Sequence, residues 1–372
     1  MLLPGATLGV LGGGQLGRMF CVAARTMGYR TLVLDPDPRS PAGRIADEHI
    51  RAGYTDQTAL DRMAASCDAI TTEFENVPAE SLRYLAQFKP VSPSAECVEI
   101  AQNRIREKEF ALKAGISPAP FAAIHNEKDL QAAVTSVGFP AILKTSTMGY
   151  DGKGQHVVNN LEQAIQAFQS MGNVECVLEK KLHLKLEISA LLARNARGET
   201  QCYPPAENEH RNGVLHQSIV PARINEQLAT AAKANATKLA EAMNYVGVLA
   251  VEFFVTDDDQ LIFNEMAPRP HNSGHYTKDA AVTSQFEQQV RVMCDLSPGD
   301  TRLISPVVMV NLLGDLWHPE WQHLFKEPAV KLHLYGKDEA RPGRKMGHYN
   351  VLAENIDLAI TTAQKVFDRL SS

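Results

Sequence analysis

Two apolar stretches that each carry one glutamate constrain the fold of this 372-residue chain most strongly. Residues 248–255 (VLAVEFFV) and 261–266 (LIFNEM) flank a short polar turn, a pattern typical of an antiparallel hairpin. If the ladder is centred in the middle of that turn, Glu252 stands directly opposite Glu265, with their Cβ atoms about 5 Å apart. Two like charges this close inside an apolar hairpin are destabilising, unless one carboxyl is protonated or a cation lies between them.

The hairpin therefore predicts a metal site at Glu252 and Glu265. Mg²⁺ takes oxygen ligands and commonly joins carboxylates to nucleotide phosphates, and Mn²⁺ could replace it. Asn264 could add a neutral oxygen. The alternative is a register slipped by one residue, which would turn one glutamate toward solvent.

A glycine-rich segment after a strand predicts a phosphate-binding flap. The strand ends at Lys144, and residues 148–155 (MGYDGKGQ) follow. We expect the amide groups of the loop and Lys153 to meet phosphate charge, and Lys144 to reach the α- and β-phosphates. The segment lacks the ending of a Walker P-loop, and the alternative is an ordinary polar hairpin.

The first hundred residues alternate strand-like and helical stretches, which predicts a parallel sheet with helices on its faces. A G-x-G-x-x-G motif at residues 12–17 follows the first strand and opens the first helix. With Asp35 after the second strand, the motif fits an NAD site, a site for another ligand's phosphate, or tight packing alone. Further on, we expect one continuous helix over residues 98–114.

Composition excludes several classes of protein. With 37 Lys and Arg against 43 Asp and Glu, the formal charge is −6, which argues against general nucleic-acid binding. The chain is 44% hydrophobic, which excludes disorder as its main state, and no apolar stretch is long enough to predict a membrane span. The start of the chain reads as a strand rather than a signal peptide. The six cysteines form no C-x-x-C pair, so we expect free thiols in a reducing cytoplasm.

The flap after a strand lysine, followed by a Glu…Asn-Glu hairpin, resembles the ATP-grasp superfamily. The match becomes closer through four segments, namely residues 13–19 (GGQLGRM), 149–155 (GYDGKGQ), 264–275 (NEMAPRPHNSGH) and 341–348 (RPGRKMGH). Together they resemble the 5-(carboxyamino)imidazole ribonucleotide synthase family, over essentially the whole chain and in the same order.

The resemblance implies an α/β and α+β architecture with three domains. These are an N-terminal doubly wound parallel-sheet (pre-ATP-grasp) domain over 1–102, a central ATP-grasp module with a mobile flap subdomain over 103–294, and a small C-terminal domain over 295–372. It also implies that ATP and bicarbonate form carboxyphosphate, which carboxylates 5-aminoimidazole ribonucleotide. A homodimer is expected, and the product would pass to the mutase that acts next in purine synthesis.

The resemblance further implies roles for individual residues. Glu252 and Glu265 would hold the metal, and the reaction would depend on Arg269, His271, Tyr150 and Asp151. The nucleotide would contact Arg104, Lys144, Gly149, Tyr150, Asp151, Gly152, Lys153, Gly154, Gln155, Glu179, Lys180, Lys181, Leu182, Glu187, His210, Asn264 and Glu265. The ribotide would contact Gly14, Gln15, Leu16, Glu75, Arg269, Lys337 and Arg344.

Three other functions compete with this one. A formate-dependent glycinamide ribonucleotide transformylase is a sister ATP-grasp ligase, although its flap typically carries serines where this chain has residues 149–151. An NAD-dependent dehydrogenase would leave the carboxylate hairpin and the second glycine loop without a role. A non-catalytic nucleotide-binding regulator is disfavoured because Glu252, Asn264, Glu265 and Arg269 are all present.

Overall fold

The computed structural model describes residues 1–149 and 154–371, which contain three β-sheets. Among the helices of these residues, none has the length and apolar character that a bilayer span requires. Tyr150, Asp151, Gly152 and Lys153, which we expect in the flap, lie outside the described residues.

The N-terminal sheet is parallel, with strand order β3-β2-β1-β4. Its strands are β1 (Thr7–Leu11), β2 (Arg30–Leu34), β3 (Glu48–Ile50) and β4 (Ala69–Thr72). The helices of this region are α1 (Gln15–Thr26), α2 (Gln57–Ser66) and α3 (Ala79–Leu85). Alternate strand residues enter two apolar clusters, so that Leu32 and Leu11 pack on one face and Leu8 and Val10 on the other. The predicted parallel sheet with helices on its faces is confirmed.

The single helix predicted over 98–114 is wrong, because the chain breaks it at Asn103. Two helices take its place, α4 (Ala95–Gln102) and α5 (Arg104–Lys113). The backbone of Asn103 is extended, and its side-chain oxygen accepts from the N–H groups of Ile105 and Arg106 at 2.9 and 3.1 Å. Asparagine is a favoured N-cap because it satisfies such free donors. The break makes Arg104 the first residue of a new helix.

The flap sheet is a small antiparallel sheet of order β5-β8-β6-β7. Its strands are β5 (Phe121–Ile124), β6 (Ala141–Thr145), β7 (Gln155–Val158) and β8 (Cys176–Lys180). Two helices, α6 (Glu127–Ser136) and α7 (Leu161–Ser170), share one apolar cluster with it. Lys144 pairs with Gln155 across β6 and β7, so the glycine-rich segment joins neighbouring strands.

The large sheet has nine antiparallel strands in the order β14-β13-β9-β11-β12-β15-β17-β16, with β10 also paired to β9. The strands are β9 (Leu184–Arg194), β10 (Thr200–Cys202), β11 (Ala206–Arg211), β12 (Val214–Val220), β13 (Gly247–Thr256), β14 (Leu261–Ala267), β15 (Val307–Leu313), β16 (Val330–Leu334) and β17 (Lys345–Leu352). The helices are α8 (Glu226–Ala242), α9 (Thr277–Ala280), α10 (Gln285–Met293) and α11 (Ile356–Ser371), with short 3-10 turns at Asn272–Gly274, Gly314–Leu316 and Pro319–Lys326. Because β12 pairs with β15, the C-terminal strands β15, β16 and β17 belong to the same large sheet.

The register of the carboxylate hairpin is confirmed at the glutamates, with Glu252 opposite Glu265 on β13 and β14. The inner part of the ladder differs from the prediction, since Phe253 pairs with Phe263 and Asn264 forms a bulge. Between the glutamates and the turn, the strand pairing is therefore shifted by one residue from the predicted register. The extra residue, Asn264, restores the predicted register at the glutamates. Bulges re-aim side chains near functional sites in this way.

Candidate active site

A cleft of about 620 Å³ opens where the three sheets meet. Polar side chains from all of them line it, namely Gln15, Glu73, Glu75, Arg104, Glu107, Lys144, Gln155, Glu187, His210, Glu252, Asn264, Glu265, Arg269, His271, Asn272, His275 and Lys345. Of the described residues, the predicted metal ligands Glu252 and Glu265, the predicted reaction residues Arg269 and His271, and the predicted phosphate contacts Arg104 and Lys144 thus come together from distant parts of the sequence.

The two facing glutamates differ in charge state. Burial, followed by the charge of Glu265, raises the pKa of Glu252 to about 8. Burial opposes ionisation of Glu265 as well, but Arg104 donates to its Oε2 at 2.8 Å and holds its pKa below the usual value. One carboxyl is therefore protonated and the other ionised at neutral pH, as expected for a close buried pair.

The donor set around Glu252 and Glu265 fits a hard divalent cation. Within residues 1–149 and 154–371, no three His, Cys, Asp or Glu side chains are grouped so as to hold a metal alone. Mg²⁺ does not need such a cage, because it is usually bound by one or two carboxylates and completes its shell with phosphate oxygens and water. Asn264 is also among the lining residues, and its side chain carries an amide oxygen.

Two buried lysines share the carboxylate of Glu179. Lys144 Nζ lies 2.9 Å from Glu179 Oε2, and Lys108 Nζ lies 3.2 Å from Oε1. Burial alone would raise the pKa of Glu179, but the two ammonium groups lower it to about 2. The Glu179 side chain thus anchors the lysines, and any adenine contact at this strand falls to other groups.

The loop that follows β14, residues 268–276, is named here the catalytic loop. In it, Arg269 Nε donates to Glu75, and although burial opposes ionisation, Arg269 lowers the pKa of that carboxyl to about 2. His271 Nε2 lies 3.7 Å from Glu252 Oε1. Burial and the charge of Arg269 lower the pKa of His271 to about 3, so a neutral imidazole stands beside Glu252.

His210 and Glu187 form an acid–base pair in the lining of the cleft. His210 Nδ1 lies 3.1 Å from Glu187 Oε2. Burial disfavours the charged ring, but Glu187 outweighs it and raises the pKa of His210. Both predicted nucleotide-contacting residues therefore face the same space.

The first glycine loop is filled by the chain's own carboxylates. Glu73 accepts from the N–H groups of Gly14 and Gly17, the latter at 2.7 Å, and burial raises its pKa although these donors oppose the shift. Asp35 accepts from the N–H of Gly13 at 2.7 Å and from the Tyr54 hydroxyl at 2.8 Å. The N–H groups at this helix N-terminus thus have acceptors within the chain, whereas the neighbouring Gln15 and Leu16 line the cleft.

Several predicted residues stand outside the lining of the cleft. Lys337 and Arg344 are half-buried on the rim loop, residues 336–344, where Lys337 donates to the carbonyl of Lys345 and Arg344 to that of Glu339. Lys180 donates to the Phe139 carbonyl, and Lys181, Leu182 and Gly154 are likewise not among the lining residues.

Gly149, in contrast, lines the cleft, and its carbonyl accepts from Arg104 at 3.3 Å.

Three family models match successive parts of the chain. Family models match as the ribonucleotide synthetase preATP-grasp domain over residues 5–102, the ATP-grasp domain over 109–286, and the phosphoribosylaminoimidazole carboxylase C-terminal domain over 307–362. N5-carboxyaminoimidazole ribonucleotide synthase of Bacillus subtilis is 44% identical over 96% of this chain and 94% of its own length.

Solved structures agree with these matches. A crystal structure of N5-carboxyaminoimidazole ribonucleotide synthetase with ADP superimposes with a TM-score of 0.96 at 43% identity, covering 100% of this chain and 99% of that one. The Aspergillus clavatus synthase in complex with ADP and 5-aminoimidazole ribonucleotide gives a TM-score of 0.92 at 30% identity, covering 100% of both chains.

This chain belongs to the N5-carboxyaminoimidazole ribonucleotide synthase family. It is therefore an ATP-grasp ligase, as the sequence motifs indicate, and the dehydrogenase interpretation of the first glycine loop is wrong.

Some residues of the site in this synthase family member escaped sequence reasoning. Lys108, which contacts Glu179 behind the cleft lining, could in principle have been found, because it lies one helical turn after Arg104 on α5 and so on the same face. Lys345 was also accessible, inside the basic run 341–345. The apolar lining residues Ile142, Leu184 and Phe254 carry no signal that separates them from ordinary strand residues.

Proposed function

We propose that this chain carboxylates 5-aminoimidazole ribonucleotide with bicarbonate at the expense of ATP, within purine synthesis. The observation that carries the proposal is the facing pair of Glu252 and Glu265, with Arg104 on one side and His271 on the other. Family membership and the ligands named for the Aspergillus clavatus relative support the same reaction.

The cationic and carboxylate side chains of the cleft suit a nucleoside triphosphate. Lys144 and Arg104 would contact phosphate oxygens, and Glu187 with His210 would meet the ribose side of the nucleotide. Glu252 and Glu265 would hold Mg²⁺ or Mn²⁺, with Asn264 as a further oxygen donor. When bound, the ion supplies neutralisation of charge on the transferring phosphoryl group.

The carboxylation would proceed beside the catalytic loop. A bicarbonate oxygen attacks the γ-phosphorus and ADP leaves, which gives carboxyphosphate. Its cleavage to CO₂ and phosphate presents an electrophile to the ribotide amine, which forms the new C–N bond and loses a proton. Arg269 would stabilise the anionic intermediate electrostatically, with neutral His271 beside it. Tyr150 and Asp151 of the flap would approach the amine.

The ribotide would lie between the N-terminal sheet and the rim loop. Gln15 and Leu16 line that side of the cleft with Glu75, whose partner is Arg269. Lys337 and Arg344 would hold the phosphate from the rim loop. Because the N–H of Gly14 donates to Glu73, that amide would contribute only if Glu73 moves.

From the family resemblance we also propose the domain bounds, the oligomeric state and the cellular compartment of the enzyme. The domains span 1–102, 103–294 and 295–372, the chain forms a homodimer in the cytoplasm, and its product passes to the mutase that acts next. The cysteines of the described residues are all free and mostly buried, which supports a reducing compartment.

ADP release tests the proposed function directly. The full chain is incubated with ATP while Mg²⁺, bicarbonate and 5-aminoimidazole ribonucleotide are omitted one at a time. In a parallel series, formate and glycinamide ribonucleotide replace bicarbonate and 5-aminoimidazole ribonucleotide. We expect turnover only when all three are present. Turnover that requires formate and glycinamide ribonucleotide would instead assign the transformylase reaction.

A further inference from the structure

Three histidine rings form a column where β16 and β17 meet the catalytic loop. The ring of His348 lies in the middle, with its centroid 4.8 Å from that of His275 and 4.7 Å from that of His333. His275 belongs to the catalytic loop, and the other two stand opposite each other on the C-terminal strands. His348 and His275 are 0% and 1% exposed, so the column is an internal contact of the molecule.

The outer end of the column is tied to the central part of the chain. Asp279 of α9 accepts from Nε2 of His333 and from Nδ2 of Asn350, both at 2.7 Å. Because Asp279 bridges β16 and β17, the strand pair is fixed relative to the helix that follows the catalytic loop.

The inner end of the column is coupled to the reacting region. The Gln285 side chain accepts from the N–H of His271 at 2.8 Å and donates from Nε2 to the carbonyl of His271 at 2.8 Å. The same Nε2 lies 3.0 Å from Nδ1 of His275. One amide group therefore sets both histidines of the catalytic loop.

Tyr335 joins the column to the rim loop. Its hydroxyl is hydrogen-bonded to Nδ1 of His348 at 2.8 Å, and its ring lies 5.7 Å from Nζ of Lys337. Its backbone N–H donates to the carbonyl of Met346 at 3.0 Å, which closes the base of the rim loop. A cation held over an aromatic face is attracted to it, so Tyr335 restrains the Lys337 ammonium group.

The rings pack without repulsion because burial lowers the pKa of His348 and of His275 well below the usual value. Both are neutral near neutral pH. Neutral rings can stack and edge-pack at these distances as other aromatic side chains do.

From this arrangement we infer that Tyr335 and His348 are positioning residues, which hold the phosphate-contacting Lys337 of the rim loop in fixed register with His271 and Arg269 of the catalytic loop. The inference rests on the proposed function, because it takes the ribotide phosphate to lie at the rim loop. Neither residue touches reacting atoms, so their loss acts on the affinity for the ribotide and not on ATP binding.

The test compares variants that remove the same hydrogen bond from either side. Tyr335→Phe removes the hydroxyl, His348→Phe removes the nitrogen but keeps a ring, and the double variant removes both. The control is His216→Asn, a buried histidine of β12 that packs on Phe367 with ring centroids 4.6 Å apart and does not line the cleft. ADP release is measured with 5-aminoimidazole ribonucleotide varied and then with ATP varied, and thermal unfolding is followed in parallel.

We expect Tyr335→Phe to raise KM for the ribotide about fivefold, the effect of one hydrogen bond, with KM for ATP changed less than about twofold. The double variant should be no worse than the poorer single variant, since both break one interaction. If His348→Phe does not fold, Tyr335→Phe decides alone.

An unchanged ribotide KM in Tyr335→Phe overturns the inference, as does a rise matched by His216→Asn or by an equal rise in KM for ATP. A wild-type enzyme that shows no ribotide-dependent ADP release would overturn the proposed function instead, before any variant is compared.

Discussion

Two regions of this chain carry groups of the kind that can bind phosphate, and they differ in the partners that those groups already have. In the first glycine loop, the amide donors of Gly14 and Gly17 point at the carboxylate of Glu73, which is part of the same chain. In the cleft, Arg104 and Lys144 also have carboxylate partners, yet a volume of about 620 Å³ remains beside them.

The comparison shows that a glycine-rich turn before a helix does not by itself identify a ligand site. Such a turn needs a hydrogen-bond acceptor for its free N–H groups, and a buried side chain supplies one as well as a phosphate does. The cleft is different because Glu252 and Glu265 face each other, and burial raises the pKa of Glu252 to about 8. Two close buried carboxyl groups beside open space are the better indicator of a ligand.

The largest effect is expected at Glu179, which anchors the cationic side of the cleft. Glu179→Gln leaves Lys108 and Lys144 buried without their counter-charge, and breaking such a buried pair costs about 3–5 kcal/mol of unfolding free energy. Urea unfolding measures the change. The control is Glu241→Gln, which alters an exposed carboxylate on α8.

The same variant has a defined pH dependence. The pKa of Glu179 is about 2 in the folded chain against an ordinary value of 4.5, so its stabilisation is complete above pH 4.5 and is lost as the pH falls toward 2. The difference in unfolding free energy between wild type and Glu179→Gln should shrink over that window. A difference that stays constant would contradict the buried ion pair.

A somewhat smaller effect is expected at Arg104, on activity. Arg104→Met removes the partner of Glu265 and a predicted phosphate contact, and we expect kcat/KM for ATP to fall about 100-fold, or about 2.7 kcal/mol. Arg106→Met is the matched control, because Arg106 lies on the same helix but is exposed. An equal fall in kcat/KM for ATP in the two variants would contradict a specific role of Arg104 in nucleotide binding.

The smallest effect is expected in the glycine loop. Glu73→Ala leaves the N–H groups of Gly14 and Gly17 without their acceptor, at a cost of about 1–3 kcal/mol of unfolding free energy. KM for ATP should change by less than about twofold, since the loop is not a nucleotide site in this account. Thermal unfolding measures the change in stability, and steady-state kinetics measure KM for ATP. A large rise in KM for ATP would show that the glycine loop does contribute to nucleotide binding.

Local sequence pattern predicted the parts of the site that depend on neighbouring residues. Alternation along β13 and β14 put Glu252 opposite Glu265, because side chains of period two share a face. The bulge at Asn264 and the helix break at Asn103 escaped prediction, since each depends on a single residue whose alternative geometry was not evident from periodicity.

Long-range pairings could not be read from the sequence at all. Arg104 meets Glu265 across 161 positions and Arg269 meets Glu75 across 194. Only the folded sheets bring such residues together, so their pKa shifts were equally out of reach. The family resemblance named most of the residues, but it did not show that Glu73 fills the glycine loop or that Glu179 anchors two lysines.

We propose that Glu252 and Glu265 jointly hold a divalent ion with the nucleotide. This is tested by calorimetric titration of ADP, with and without Mg²⁺, into wild type, Glu252→Gln, Glu265→Gln and the Glu241→Gln control. We expect Mg²⁺ to strengthen ADP binding to wild type and the control, and we expect this gain in affinity to be smaller by about tenfold or more in each of the two variants. An undiminished Mg²⁺ effect in both variants would contradict it.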